Sequence, residues 1–341
     1  MTLFTRPRRF GKTLNMSMLF HFFDISQDTT EIFEGNVDKE SNDYYDFYLK
    51  YQLLRERKAN SSLLMDALFT ITKSVFSYYK IKPLLLIDEY GQPLISSHQH
   101  NYRETFSVFY SNFLGNALKG NPNLGRAVLT GIQRVANESI FSKLNNLDVF
   151  TVLDYRFSEF FGLTKQETTA ALSAYHLTLT DEINDFYDGY TFGNQEVYNS
   201  WSIINYIDKR IVKSYWLNTS TNALIREAIL KAPGSFNKSF EQLILNGEIT
   251  KYVNLEASFI ELKEDATLWG LLVNAGYLTF TRKYGEKVLT LKIPNNEVKG
   301  EFRKIVSSYA HLGSSSLDNK NSCKPKNEIC INRRNKPKNL L

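Results

Sequence analysis

Lys12 and Thr13, an ammonium followed by a hydroxyl, stand directly after Gly11, between a short apolar stretch (Leu3, Phe4) and a helix-spaced one (Leu14 to Phe23). In the pattern G-x-x-x-x-G-K-[ST], backbone N–H groups wrap phosphates, the lysine reaches the β- and γ-phosphates, and the hydroxyl binds Mg²⁺. Thr5-Arg6-Pro7-Arg8-Arg9-Phe10-Gly11-Lys12-Thr13 matches the second half of that pattern, with Arg6 at the first glycine position. Two acids, Asp88 and Glu89, close the apolar run Pro83-Leu84-Leu85-Leu86-Ile87. Such a run reads as a buried parallel strand, and its carboxyl end is where open α/β sheets bind ligands. There Asp88 is suited to hold Mg²⁺ through water and Glu89 to polarise an attacking water. Thr130 ends a third apolar run, Arg126 to Gly131. It is placed either to sense a γ-phosphate or to cap a turn. Arg134 follows one turn later. It either neutralises transition-state charge or is an ordinary solvated arginine. Arg9, Gly11, Lys12, Thr13 and Thr130 are the expected nucleotide-binding residues, Thr13 and Asp88 the expected Mg²⁺ residues, and Glu89 and Arg134 the expected catalytic pair. Together these residues lead to the expectation of Mg²⁺-dependent ATP hydrolysis.

Positioning these residues requires strands whose carboxyl ends converge. Residues 2–25 read as strand, loop and helix. Ser62 to Lys80 and Tyr102 to Leu118 have helical apolar spacing, and Val149 to Leu153 reads as a fourth strand. Strands alternating with helices give an α/β fold, a parallel sheet of the phosphate-loop NTPase type with flanking helices. Residues 26–60 are polar and show no clear strand. From Phe157 to about Tyr215 the pattern is mostly helical, broken at Asp188 to Asn194 by what reads as a tight loop. Residues 221–275 continue helical apart from Pro233-Gly234, a hairpin is expected over Leu278–Thr281 and Val288–Ile293, and a helix over Asn296–Tyr309.

With 24 Phe and 20 Tyr, the packing is expected to be aromatic-rich. The net charge of +5 is too mild to argue for nucleic acid, and part of it lies in the polar tail from Gly313 onward, expected to be disordered. Cys323 and Cys330 both fall in that tail, so no disulfide framework is expected and a cytoplasmic setting is. No apolar run approaches the ~18 residues that span a membrane. Met1 lies too close to the loop for a signal peptide to precede it. His98 and His100 lack partners at metal-ligand spacing and read as surface residues; Tyr190, Tyr198 and Trp201 read as core.

The loop, together with Leu86-Ile87-Asp88-Glu89-Tyr90, Leu129-Thr130-Gly131-Ile132, Ser139-Ile140-Phe141, Leu144-Asn145-Asn146-Leu147, Tyr187-Asp188-Gly189-Tyr190-Thr191-Phe192-Gly193 and Tyr198-Asn199, resembles the AAA-ATPase-like family. That family often carries a C-terminal PD-(D/E)XK nuclease domain, and it commonly has Arg at the first glycine position. The likeness runs from residue 2 to about 310. It implies an ATPase core over 1–155, a helical lid over 156–219 and a winged-helix-like segment over 220–312, followed by the basic tail 313–341. The chain departs from the family at several points. The strand and helix that normally precede the loop are missing, so the core is expected to be N-terminally truncated. Residues 26–60 lack the usual apolar strand, Gly91 stands where Asp is usual, and the nuclease is absent. Two other readings remain open: a nucleotide-binding switch or partner-binding module without turnover, and a degenerate gene fragment. ATP is the expected partner, with hydrolysis coupled to an unknown process; a homo-oligomer and a nucleic-acid partner both stay open, the latter without support in the residues.

Overall fold

The computed structural model describes residues 1–23, 49–50, 52–53, 56–132, 147–216, 225, 228–229, 231–256 and 264–303. Four short strands, β1 (Thr2–Thr5), β2 (Leu84–Ile87), β3 (Arg126–Gly131) and β4 (Asp148–Phe150), form a parallel sheet in the order β2-β3-β1-β4. Leu3 and Leu129 are paired across β1 and β3 and are fully buried. β2 reads Leu-Leu-Leu-Ile, lies at the outer position of the described sheet and is half-buried along its whole length. The register aligns the carboxyl ends: Thr5 lies opposite Gly131, and Ile87 opposite Leu129. Two further backbone bonds extend the alignment past the strands, Arg6 N to Gly131 O at 3.1 Å and Tyr90 N to Thr130 O at 3.0 Å. Because β3 lies between β1 and β2, Thr130 stands between the loop and the two acids.

Helix α1 (Lys12–Phe23) leaves the loop directly. The single helix expected over Ser62–Lys80 is two, α2 (Ser61–Met65) and α3 (Ala67–Tyr79), separated at Asp66. Asn60 caps α2 by accepting from Leu63 N at 2.9 Å, and Lys80 ends α3 in the left-handed region. Helices α4 (Gln92–Gln99) and α5 (Arg103–Leu118) follow β2. One face of α5, carrying Tyr110, Leu114, Ala117 and Leu118, packs with Leu3, Tyr90, Leu94, Ala127 and Leu129 into the core beside the sheet. The Tyr110 hydroxyl donates to Tyr90 O at 2.7 Å and so fixes the turn that follows the acids. Burial pushes that hydroxyl's pKa up to about 12.

A second set of elements follows β4: α6 (Lys165–Ala174), α7 (Asp181–Tyr187), β5 (Tyr190–Phe192), β6 (Gln195–Val197) and α8 (Ser200–Lys209). A Thr164–Glu167 capping box starts α6. The segment read as a tight loop is instead the antiparallel β5–β6 hairpin, turning at Gly193. A side chain there would bring Cβ to 2.6 Å from Asp154 O, and its φ is +56°. Then come α9 (Gly234–Asn246), β7 (Glu248–Tyr252), α10 (Asp265–Asn274), β8 (Thr279–Tyr284) and β9 (Val288–Lys292), with an antiparallel sheet in the order β7-β9-β8. Strand β7 falls in the stretch read as continuously helical. Gly247, left-handed at φ +81°, ends α9 and turns the chain into it. The hairpin expected near 280–290 is present as β8 and β9. Residues 296–303 are helical, which covers the described part of the helix expected over Asn296–Tyr309.

The chain divides into Met1–Phe302 and Arg303–Leu341. Beyond residue 303 the expected tail lies outside the described residues, as do the polar stretch 26–48, Ser139-Ile140-Phe141 and both cysteines. No helix among the described residues is long and apolar enough to cross a membrane.

Gly276, at φ +82°, follows α10 and approaches the loop after β1: a Cβ there would sit 2.9 Å from Pro7 Cβ and 3.3 Å from Trp216 Cζ2. Gly276→Ala is expected to lower stability by about 1–2 kcal/mol, the cost of a left-handed L-residue, before the contact with Pro7 is counted. Chemical denaturation checks it, and an unchanged midpoint would show that the turn relaxes freely.

Candidate active site

The chain after β1 turns twice through the left-handed region, at Arg9 (φ 64°) and Gly11 (φ 74°), before α1 begins. Gly11 O accepts from Asn15 N and from Asn15 Nδ2, each at 2.9 Å, which closes the first helical turn. Lys12 is thereby drawn inward and is only 4% exposed. Its Nζ donates to Pro7 O at 3.2 Å and pairs with Glu89 Oε1 at 3.1 Å. Burial pushes the ammonium pKa down, and the Glu89 carboxylate opposes that shift. Glu89 faces Lys12 from a left-handed backbone of its own (φ 50°), a conformation a non-glycine residue adopts only where its surroundings compensate.

Asp88 is the hub. The Thr13 hydroxyl donates to its Oδ2, the Thr130 hydroxyl to its Oδ1, and Glu89 N to Oδ1 at 3.0 Å. The structure thus brings together Gly11, Lys12, Thr13, Asp88, Glu89 and Thr130, which come from the ends of three parallel strands. A hydroxyl and a carboxylate on one spot form the hard-oxygen donor set that suits Mg²⁺ when phosphate oxygens complete its shell. Among the described residues no group of three or more His, Cys, Asp or Glu is placed to hold a metal by protein ligands alone. Arg134 lies outside the described residues.

The three loop arginines take different places. Arg6 is fully buried at the sheet edge. Its Nη1 donates to Thr5 O at 2.9 Å and Phe150 O at 3.0 Å, and its Nη2 to Phe157 O at 3.1 Å. The rings of Phe161 and Phe192 cover it, with guanidinium-to-centroid distances of 5.3 and 5.2 Å. Burial lowers its pKa to about 10, against the pull of Asp154, so it remains charged. Arg9, expected on the nucleotide, turns the other way: its Nη1 donates to Tyr215 O and its guanidinium lies 4.9 Å from the Trp201 ring centroid. Arg8 is half-buried; burial lowers its pKa, the Glu89 carboxylate opposes that shift, and the Arg8 charge in turn lowers the pKa of Lys12. Its Nε is buried with no hydrogen-bond partner. Nothing in the sequence separates Arg8 from Arg9; the left-handed turn at Arg9 sends adjacent side chains to opposite sides.

The later part of the unit wraps the loop. Phe10 packs against Tyr190 and Phe192, with centroids 4.7 and 5.1 Å away. Arg9 O accepts from Trp201 N at 3.3 Å and from Ser200 Oγ at 3.1 Å. The Trp216 indole N–H donates to Arg8 O at 3.3 Å. Tyr190 and Tyr198 are core residues, whereas Trp201 is 43% exposed and serves as the platform under Arg9. His98 and His100 are exposed.

Comparison with known proteins bears on the first part of this arrangement. Residues 1–61 and 48–141 match the family model for AAA-ATPase-like proteins, described as Predicted AAA-ATPase. That span includes Lys12, Thr13, Asp88, Glu89 and Thr130. An uncharacterized protein in the vnfD 5′ region of Azotobacter chroococcum mcd 1 is 24% identical over 345 residues, covering 89% of this chain and 62% of that protein. The chain therefore spans less than two thirds of the length of the curated relative it matches. No solved structure matches it.

Proposed function

We propose, from the match of residues 1–141 to the Predicted AAA-ATPase family model, that this chain binds Mg²⁺·ATP at the carboxyl edge of the parallel sheet and hydrolyses it. The observation that carries the reading is the convergence on Asp88 of Thr13 from the loop and Thr130 from β3, with Lys12 alongside. Gly11 leaves room for phosphate beside the backbone, and Lys12 exchanges its present partners, Pro7 O and Glu89, for the β- and γ-phosphates. Thr13 and Asp88 would hold Mg²⁺, whose charge offsets that of the phosphate oxygens. Glu89, released from Lys12, accepts a proton from the attacking water. Thr130 keeps Asp88 oriented and stands where a γ-phosphate can be read. Arg8 has the unpaired buried N–H and the charge to meet phosphate, and it takes the role that the sequence assigned to Arg9.

The division into core (1–155), lid (156–219), winged-helix-like segment (220–312) and tail (313–341) remains part of the proposal. The pairing of β7, β9 and β8 with α9 and α10 supports the third piece, and the packing of Tyr190, Phe192 and Trp201 on the loop supports a lid.

Lys12→Ala is expected to weaken ATP binding by roughly tenfold or more, the loss of a charged hydrogen bond. Titration of a fluorescent ATP analogue measures it. Equal affinity in the two proteins would remove Lys12 from the site and the reading with it.

A further inference from the structure

Glu297 is a fully buried carboxylate in the helical segment 296–303, and no step above uses it. The start of that segment is fixed by Asn295, whose side chain accepts from Val298 N at 3.1 Å and donates to Asp188 O at 2.8 Å. Glu297 Oε1 accepts two consecutive backbone N–H groups, Tyr215 at 2.5 Å and Trp216 at 2.8 Å, and Oε2 accepts the Ser202 hydroxyl at 2.9 Å. Burial raises its pKa, while those three donors and Arg9 act in the opposite direction.

The two residues whose backbone Glu297 fixes both grip the phosphate-binding loop. Tyr215 O accepts both the Arg9 guanidinium and the Trp201 indole N–H, the latter at 3.3 Å. The Trp216 indole holds Arg8 O, and its ring edge lies against the Gly276 turn that touches Pro7. On the other side, Ser202 belongs to the first turn of α8, whose Ser200 and Trp201 hold Arg9 O. Among the described residues, the hydrogen bonds that Arg9 makes through its carbonyl and its guanidinium therefore go to elements that Glu297 bonds directly. A left-handed arginine is unfavourable by itself and holds its conformation only while such contacts persist.

We propose that Glu297 is a positioning residue for the phosphate-binding loop: by fixing Tyr215, Trp216 and the start of α8 it holds Arg8 and Arg9 in place, and so ties the state of the loop to the carboxyl-terminal part of the same unit. Its importance for ATP rests on the reading of that loop as the nucleotide site. The clamp is reciprocal by linkage: what Glu297 does for the loop, a filled loop does for segment 209–216.

Hydrogen exchange by mass spectrometry on the full chain, with and without Mg²⁺·ATP, tests it. Without nucleotide, Glu297→Ala is expected to speed exchange over residues 6–13 and 209–216 together by roughly tenfold or more, with 84–90 and 126–131 unchanged. Glu297→Gln keeps an acceptor for the two N–H groups and is expected to fall between the alanine variant and wild type. Mg²⁺·ATP is expected to slow exchange at 209–216 in wild type and to lose that effect in Glu297→Ala. Faster exchange at 209–216 with none at 6–13 overturns the proposal, as does ATP-dependent protection at 209–216 that survives the alanine variant. If Glu297→Ala unfolds the whole chain, the glutamine variant decides by the same comparison. Absence of any ATP-dependent protection in wild type refutes the nucleotide reading instead, and the nucleotide-free comparison still decides the clamp.

Discussion

Replacing Arg6 by glycine, the residue that the general phosphate-loop pattern carries there, is expected to destabilise this chain by about 3 kcal/mol or more. The side chain is fully buried and donates to three carbonyls, those of Thr5, Phe150 and Phe157. Hydrogen bonds to a charged donor contribute roughly 1.5–3 kcal/mol each, and a buried acceptor left unpaired costs about 1–3 kcal/mol. Glycine would also vacate the space between Phe161 and Phe192, and an unfilled cavity adds its own cost. Nothing is regained through backbone freedom, because the left-handed positions of this loop are Arg9 and Gly11, not Arg6. Denaturant unfolding of Arg6→Gly against wild type measures the effect. Coincident midpoints would mean that the consensus residue is as good here and that the buried guanidinium is incidental.

Glu89→Gln is expected to retain ATP binding and to lower turnover by ~10²-fold or more, the usual loss when a general base is removed. Glu89 occupies two positions in the cycle proposed above. Before nucleotide enters, it pairs with Lys12 at 3.1 Å; afterwards it faces the attacking water. The amide cannot accept the proton, and it holds Lys12 less tightly, so affinity for ATP stays level or rises. Phosphate release under single-turnover conditions, with binding followed in parallel, separates the two effects. Loss of binding together with turnover would assign Glu89 a structural duty. A wild type that binds ATP and releases no phosphate would make the chain a nucleotide-dependent switch, built on the same exchange of partners at Lys12.

The local sequence determined the site's inventory. Gly11-Lys12-Thr13 ahead of a helix and Asp88-Glu89 after four apolar residues are readable because each is a short-range pattern: the chemistry and the element that presents it are adjacent in the chain. The parallel sheet followed for the same reason, since short apolar runs such as Leu84 to Ile87 and Ala127 to Leu129, separated by helix-spaced stretches, read as parallel strands. Where a local signal was ambiguous, the reading failed. The β5–β6 hairpin reads as a tight loop in the sequence because three-residue strands on either side of Gly193 are too short to show alternation. Strand β7 merges into a helical stretch in the sequence because Glu248 to Tyr252 carries no strong apolar face of its own; its partner β9 supplies one.

Tertiary structure alone decided what each loop residue does. The sequence marks Arg6 only as the occupant of the glycine position and Arg9 as a nucleotide contact, yet Arg6 fills the sheet edge, Arg8 lies towards Glu89 and Arg9 is pinned to Tyr215 and Trp201. The strand order put β3 between β1 and β2, and only that order lets Thr130 bond the acid that Thr13 also bonds. The grip of Ser200, Trp201, Tyr215 and Trp216 on the loop joins residues about 200 positions apart. No periodicity or motif encodes such a contact, because it depends on where two separately folded stretches come to rest against each other, and that is set by the packing of the whole unit.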